Sequence, residues 1–225
     1  MDITHASVHG ESRDAESSLR MVIGGSMSEG LAGAGAVALA IIGLANTLTL
    51  TMASIATIVV GAGLLFEGAS IATRYSNLLA RAGKGGFANM ELGGGMTAEM
   101  LGGAAGIALG ILALLRVSPI SLEAIAVIVY GGSVVMGSGA TARLNRLSIA
   151  DSGEEEKARS LAHAAVSASA DAQLMIGMGV VVLGILALLG ISSMTLTLVA
   201  MLGLGFSILM TGSTLSSRLL GVFHH

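Results

Sequence analysis

The sequence has no cysteine, no tryptophan, a single proline and only 11% charged residues. Without cysteine, disulfides and thiolate metal sites are excluded. The low charge is not typical of a soluble domain, in which about 25% of residues are charged. A net charge of −3 does not indicate a nucleic acid partner. No Ser/His/acid arrangement and no HExxH motif are present, so we expect no catalytic residues, no metal site and no cofactor.

Apolar residues make up 53% of the chain and lie in long runs, and the mean hydropathy is +0.85. With its flanks, each run is long enough for a helix that crosses a bilayer, which takes ~17–25 residues. Barrel strands would alternate polar and apolar residues, whereas stretches such as GILALL do not. We therefore predict six transmembrane helices, from the runs 30–45, 52–66, 100–115, 124–142, 172–191 and 194–215.

A repeated unit organises these runs. Residues 29–67 align without a gap on 99–137, with 13 of 39 positions identical, and 99–137 align on 173–211 with 14 of 39 identical. Such self-similarity indicates an internally repeated architecture. The predicted fold is an all-α membrane protein of three tandem helical hairpins.

This fold has one membrane domain, residues 29–225, after a polar N-terminal segment of residues 1–28. The predicted hairpin repeats span 29–81, 98–147 and 171–223, joined by linkers 82–97 and 148–170. In the second hairpin the turn lies at Pro119, because proline cannot continue a helix.

The basic residues predict the orientation. Ten of the eleven fall on one side of the six-span arrangement, and Arg116 falls on the other. The positive-inside rule places the crowded side in the cytoplasm. We therefore expect cytoplasmic termini and linkers, three outward turns and a location in the inner (plasma) membrane.

Small residues recur in the spans at intervals that place them on one helix face. Such faces allow the close helix approach that drives association in lipid. We expect them to pack helices within the bundle, or between subunits of a homo-oligomer or with a membrane partner. The candidate packing residues are Gly102, Gly106, Gly110, Gly61, Gly131 and Gly205.

Glu67 is predicted to be the only acid deep within a span. A charged group there costs at least ~2.5–3.5 kcal/mol, so an intramembrane acid is a functional candidate. The alternative is structural: Arg74 lies seven residues further on the same helix face, where it could pair with Glu67. The aligned positions hold Gly137 and Thr211, so any role of Glu67 is asymmetric. This asymmetry weakens the comparison with a triplicated rotary-ATPase proteolipid, which needs repeated carboxylates.

Arg74, Arg143 and Arg218 end the even-numbered spans, and Glu29, Glu99 and Asp171 begin the odd-numbered ones. Charges so placed complement the helix dipole, so we interpret the arginines as anchors at the cytoplasmic interface. A ring of three arginines around a common axis is the alternative. His5 and His9 in the N-terminal segment leave a metal site open as a further possibility.

The pattern of the hairpins is G-I-L-A-L-L, complete in the second and third of them, then a short turn, an apolar run with a central glycine, and G-x5-R. The first part of this pattern is clearest in the second hairpin, which reads GILALLRVSP. In this the chain resembles the HdeD-like membrane proteins over residues 29–223. Thr49 and Ser193 replace the turn proline in the other two repeats. The resemblance implies a non-enzymatic membrane protein linked to acid resistance, and it transfers no functional residue.

Three functions remain open. The first is an HdeD-like membrane protein that supports envelope or acid-stress tolerance. The second is a proton or ion channel or transporter that uses Glu67. The third is an accessory subunit of a larger membrane complex.

Overall fold

The computed structural model describes the backbone of residues 28–82, 88–151 and 156–222, and the side chains of 28–69, 98–139 and 171–211. All regular structure in these ranges is α-helical. The six helices are α1 (Ser28–Leu44), α2 (Thr49–Ala82), α3 (Ala88–Leu114), α4 (Pro119–Asp151), α5 (Glu156–Leu188) and α6 (Ser193–Val222).

Four of the helices contain segments long and apolar enough to cross a membrane. These segments are Thr49–Ala69, Pro119–Gly139, Asp171–Leu188 and Ser193–Thr211. The described parts of α1 and α3 are also apolar but shorter, Ser28–Leu44 and Ala98–Leu114. The chain is therefore a helical protein of the membrane type, with four helices that meet the length of a span.

The helices are longer than the apolar runs. α3 begins at Ala88, and α5 begins at Glu156, so both include residues that we expected in linkers. The reason is that a helix does not need apolar side chains to continue: ELGGGMTAEM and SLAHAAVSASA contain no proline to stop it. The charged residues in these extensions kept them out of the predicted spans.

The same tight turn joins the two helices of each hairpin. Asn46, Arg116 and Gly190 have φ values of 64°, 65° and 87°. After α3, the Val117 amide donates to the Leu112 carbonyl, and the Arg116 amide donates to the Ala113 carbonyl. These two bonds form a Schellman motif, which satisfies the last carbonyl groups of the helix. Corresponding bonds close the turn after α5.

The even-numbered helices form the centre of the bundle. α2, α4 and α6 each contact the other two, while α3 packs against both α2 and α4, and α5 packs against both α4 and α6. α1 lies against α2 and α6, as shown by the contacts of Gly35 with Val59 and of Gly33 with Leu209. The odd-numbered helices therefore occupy the three grooves around a central triangle.

One glycine-to-glycine contact holds each odd-numbered helix in its groove. In each case a Cβ on one glycine would lie within 3.1 Å of the carbonyl oxygen of the other. No side chain can occupy that space because the obstacle is backbone. The three pairs are Gly33 with Gly205, Gly103 with Gly61, and Gly177 with Gly131.

The outer surface of the bundle is apolar. Large exposed side chains recur at aligned positions, including Ile41, Ile111 and Ile185, and their exposed fractions are 54%, 46% and 45%. In water such a continuous apolar surface would be unstable or would bind a partner. The surface is that expected of helices whose solvent is lipid.

Candidate functional site

Four glutamates are buried in the described part of the bundle: Glu29, Glu67, Glu99 and Glu123. Carboxyl groups are seldom fully buried unless they are paired or serve a function. Three of them lie at the end of the bundle opposite the turns, and Glu123 lies at the turn end. The four are therefore divided between two separate polar sites.

The first site is at the end opposite the turns. Its members are hereafter called the polar cluster: Glu29, Glu67, Glu99, Gln173 and Thr211. These residues come from five different helices, α1, α2, α3, α5 and α6. Helix α4 provides, at Gly137, the space that one of the glutamates occupies.

Hydrogen bonds connect Glu67 across the bundle to α5 and α6. The Gln173 Nε2 donates to Glu67 Oε1 at 3.0 Å and lies 3.2 Å from Thr211 Oγ1. The Thr211 hydroxyl donates in turn to the Ser207 carbonyl at 3.1 Å. Glu67 therefore points into the bundle, where an amide donor holds one of its oxygens.

Glu99 fills a space that the absence of a side chain on Gly137 leaves open. A Cβ at Gly137 would overlap the Glu99 carboxyl group. Glu99 lies within electrostatic range of both Glu67 and Glu29, and its Oε2 has no hydrogen-bond partner among the described residues. Three carboxyl groups are thus brought together in an apolar bundle.

The second site, the turn-end pair, consists of Ser54 on α2 and Glu123 on α4. The Ser54 hydroxyl lies 2.5 Å from Glu123 Oε1 and 3.0 Å from the Leu50 carbonyl oxygen. Both side chains are buried, and Glu123 Oε2 has no hydrogen-bond partner in the described part of the chain. Arg116, in the neighbouring turn, lies within electrostatic range of Glu123.

Apolar side chains fill the centre of the bundle between the two sites. Thirteen residues separate Ser54 from Glu67 on α2, so the sites are about 20 Å apart along the helix axis. The interior between them includes the buried side chains of Leu64, Met201 and Leu204. Polar side chains are also buried there: the Tyr130 hydroxyl donates to the Thr57 carbonyl at 2.6 Å, and the Thr57 hydroxyl donates to the Ala53 carbonyl at 2.9 Å.

Glu67 is not the only acid buried within a span. Glu123 lies inside the span Pro119–Gly139 and is fully buried. The predicted apolar run begins at residue 124, so Glu123 falls one residue outside it. A four-residue turn that ends at Ser118 instead draws Glu123 into the bundle.

The interpretation of Glu99 and Asp171 as helix-start charges is also wrong. α3 begins at Ala88 and α5 at Glu156, about three and four turns earlier. The effect of the helix dipole on a charge fades within the first turn. Burial in the polar cluster explains the position of Glu99, whereas Asp171 is exposed.

The side chains of Arg74, Arg143 and Arg218 lie outside the described residues, as do His5 and His9. The arginines belong to the C-terminal parts of α2, α4 and α6. Their roles as interface anchors or as a ring therefore stay predictions, and so does pairing of Arg74 with Glu67.

The six candidate packing glycines all lie at helix contacts. Gly61, Gly131 and Gly205 belong to the three glycine pairs. On α3, Gly102 faces Ser133 of α4, Gly106 faces Tyr130, and Gly110 faces α2 at Ile58. These glycines serve contacts within one chain.

The sequence contains a signal for the polar cluster, and it lies on the odd-numbered helices. We compared Glu67 with its aligned even-helix positions, Gly137 and Thr211. On the odd-numbered helices, Glu29, Glu99 and Gln173 align with one another in the three repeats. All three side chains end in a carboxyl or an amide group. Because odd-numbered helices pack between even-numbered ones, both sets of positions meet at the same level of the bundle.

Among the described residues, no group of three histidine, cysteine or acidic side chains has an arrangement that would hold a metal ion. Comparison with family models, with curated proteins and with solved structures finds no match to this chain. The site and the fold therefore carry the functional argument by themselves.

Proposed function

We propose that the chain is a multi-pass inner-membrane protein that binds protons at the polar cluster and thereby supports acid or envelope-stress tolerance. In this proposal all six helices span the membrane as three hairpin repeats around one axis, with cytoplasmic termini, and the protein is not an enzyme. The observation that carries the proposal is the burial of Glu29, Glu67 and Glu99 together in an apolar bundle.

The chemistry of the cluster favours protons over other ligands. Like charges at this range repel, and an apolar surrounding increases the cost of each charge. Carboxyl groups in such an arrangement are most stable when they share protons. The amide of Gln173 donates to Glu67 Oε1 and stabilises a negative charge on this carboxyl group, so Glu67 can release a proton while its neighbours retain theirs.

The proposal includes the resemblance to the HdeD-like proteins, and the acid resistance linked to that family agrees with proton uptake at the cluster. A protein that takes up protons at the cytoplasmic end of its bundle has a direct use in acid stress. Arg74, Arg143 and Arg218 would then anchor this end to the anionic inner leaflet.

Proton binding can be measured with the purified chain in lipid vesicles that contain a pH indicator. A small acid pulse gives the number of protons bound per chain. We expect Glu67→Gln and Glu99→Gln to reduce this number. Asp171→Asn is the matched control: it makes the same carboxyl-to-amide change at an exposed residue near the cluster, and should leave the cluster's uptake unchanged. Equal uptake by the wild type and both cluster variants would reject the proposal.

A second candidate is proton transport, in which Glu67 is a step on a pathway through the bundle. Its support is the presence of buried carboxyl groups at both ends. Proton flux under a pH gradient distinguishes the two functions. Transport predicts flux above that of empty vesicles and its loss in Glu67→Gln. Flux equal to empty vesicles, with normal uptake at the cluster, would leave proton binding as the function.

We also propose that the protein associates with copies of itself or with a membrane partner. The support is the presence of small residues on the outside of two helices: Ala104 and Ala108 on α3 and Gly179 on α5 are exposed. Such surfaces permit close helix contact in lipid. Native mass spectrometry after extraction in mild detergent tests this: a stable homo-oligomer contradicts the accessory-subunit function, and a lone monomer contradicts both.

A further inference from the structure

The turn-end pair is separate from the polar cluster and has no part in the proton binding proposed for that cluster. Glu123 is fully buried and Ser54 is 1% exposed. Glu123 comes four residues after Pro119, so it lies only about 6 Å below the start of α4 along the helix axis. A carboxyl group at this depth is enclosed by the bundle yet close to the membrane surface.

The hydrogen bonds of Ser54 allow two arrangements. Its hydroxyl has one hydrogen and two oxygens within reach, Glu123 Oε1 at 2.5 Å and the Leu50 carbonyl oxygen at 3.0 Å. When Glu123 is ionised, the hydroxyl donates to Glu123. When Glu123 carries a proton on Oε1, the carboxyl group donates to Ser54 Oγ, and the hydroxyl turns to the Leu50 carbonyl. A good hydrogen bond therefore exists in both protonation states.

The charges at this end of the bundle are few. Residues 40–58, 107–126 and 183–201, which form the turn end, contain only two charged residues, Arg116 and Glu123, and no histidine. Arg116 is within electrostatic range of Glu123 and compensates the negative charge of the ionised form. In the protonated form, the burial of a neutral carboxyl group carries no charge penalty.

A metal ion fits this pair less well than a proton does. Hard cations such as Ca²⁺ take six to eight oxygen ligands, and Mg²⁺ takes six. The aligned positions of the other two central helices hold Ala53 and Thr197, so no second carboxyl group faces Glu123 from α2 or α6. The Glu123 Oε2, which has no hydrogen-bond partner among the described residues, remains open.

We infer that Glu123 and Ser54 form a second proton-binding site at the turn end of the bundle, in which the Ser54 hydroxyl reverses its hydrogen bond when Glu123 gains or loses a proton. The proton exchanges with water at the turn end. On binding, one O–H bond forms at Glu123 Oε1, and the Ser54 hydrogen moves by rotation alone. On release, the proton returns to water and the hydroxyl donates to the carboxylate again.

Infrared difference spectroscopy of the protein in lipid vesicles, recorded between acidic and neutral pH, tests the inference. A protonated carboxyl group has a carbonyl stretching band that a carboxylate lacks. We expect such a band to appear on acidification and to be absent in Glu123→Gln. In Ser54→Ala the band should persist but shift, because the carboxyl group loses its hydrogen-bond partner. In Glu67→Gln this band should remain unchanged.

The variants are chosen to fold. Alanine stands at position 124, aligned with Ser54, and threonine stands at position 197, aligned with Glu123. Glu123→Thr therefore replaces Glu123→Gln if the latter does not fold. A pH-dependent carboxyl spectrum that is the same in wild type and in the folded Glu123 variant would overturn the site. An unshifted band in Ser54→Ala would overturn the role of the hydroxyl.

Discussion

The contact of Gly131 with Gly177 provides the sharpest test of how the helices pack. A Cβ at Gly131 would lie 2.7 Å from the Gly177 carbonyl oxygen and 2.8–2.9 Å from the side chains of Val181 and Val180. Ordinary contact begins at 3.4 Å. In Gly131→Ala the helices α4 and α5 must therefore separate by about 0.7 Å, an overpacking that costs ~1–3 kcal/mol of unfolding free energy.

The next residue in the chain supplies the control. Gly132 lies in the same helix, and a Cβ there would meet nothing within 4 Å. Gly132→Ala should therefore leave the stability unchanged or raise it by up to ~1 kcal/mol, because alanine favours helix more than glycine does.

Reversible unfolding in mixed micelles, followed by circular dichroism, gives the free energy of unfolding of both variants. The expected result is two adjacent substitutions with effects of opposite sign. If Gly131→Ala is as stable as wild type, or if Gly132→Ala is equally damaging, the close backbone contact does not hold α5 against α4.

Three further predictions concern other parts of the fold. Tyr130→Phe removes the buried hydrogen bond to the Thr57 carbonyl and should lower the unfolding free energy by ~0.5–1.5 kcal/mol in the same assay; no loss would show that this bond contributes nothing. Leu48→Gly should raise the unfolding free energy by ~1 kcal/mol, because Leu48 is exposed and has a φ of 47°, which is strained for any residue with a Cβ. A lower unfolding free energy in this variant would contradict the prediction. The chain has no native cysteine, so Ser118→Cys and Ser152→Cys each carry a single thiol, the latter at a position outside the described residues. The two variants should react with an impermeant thiol reagent from opposite sides of the membrane. Labelling from the same side would refute the six-span topology.

The packing of the helices follows from the sequence to a considerable extent. The long apolar runs require helices because lipid offers no hydrogen bonds to a free backbone, and helices do form at each of the six runs. The repeated glycines predict close helix contacts, and Gly61, Gly131 and Gly205 lie at such contacts. The helix ends were harder to predict, since composition sets the limits of a span and not the limits of a helix.

The buried carboxyl groups were predicted less well. The candidate Glu67 is buried, whereas the sequence predicts a helix-start charge at Glu99 and does not single out Glu123. Each error came from judging a residue by its distance from the nearest apolar run. Burial depends on neighbouring helices, and Glu99 is enclosed because Gly137, on another helix, leaves room for it.

The sequence by itself determined the helical, membrane-type class of the chain and the position of its helices, because these follow from local hydropathy and from backbone hydrogen bonds. Only the tertiary structure decided which polar residues meet. Glu67 and Gln173 are 106 residues apart, and Ser54 and Glu123 are 69 apart. Their contacts arise from the order in which six helices surround one axis, and that order is not contained in the local pattern of any single helix.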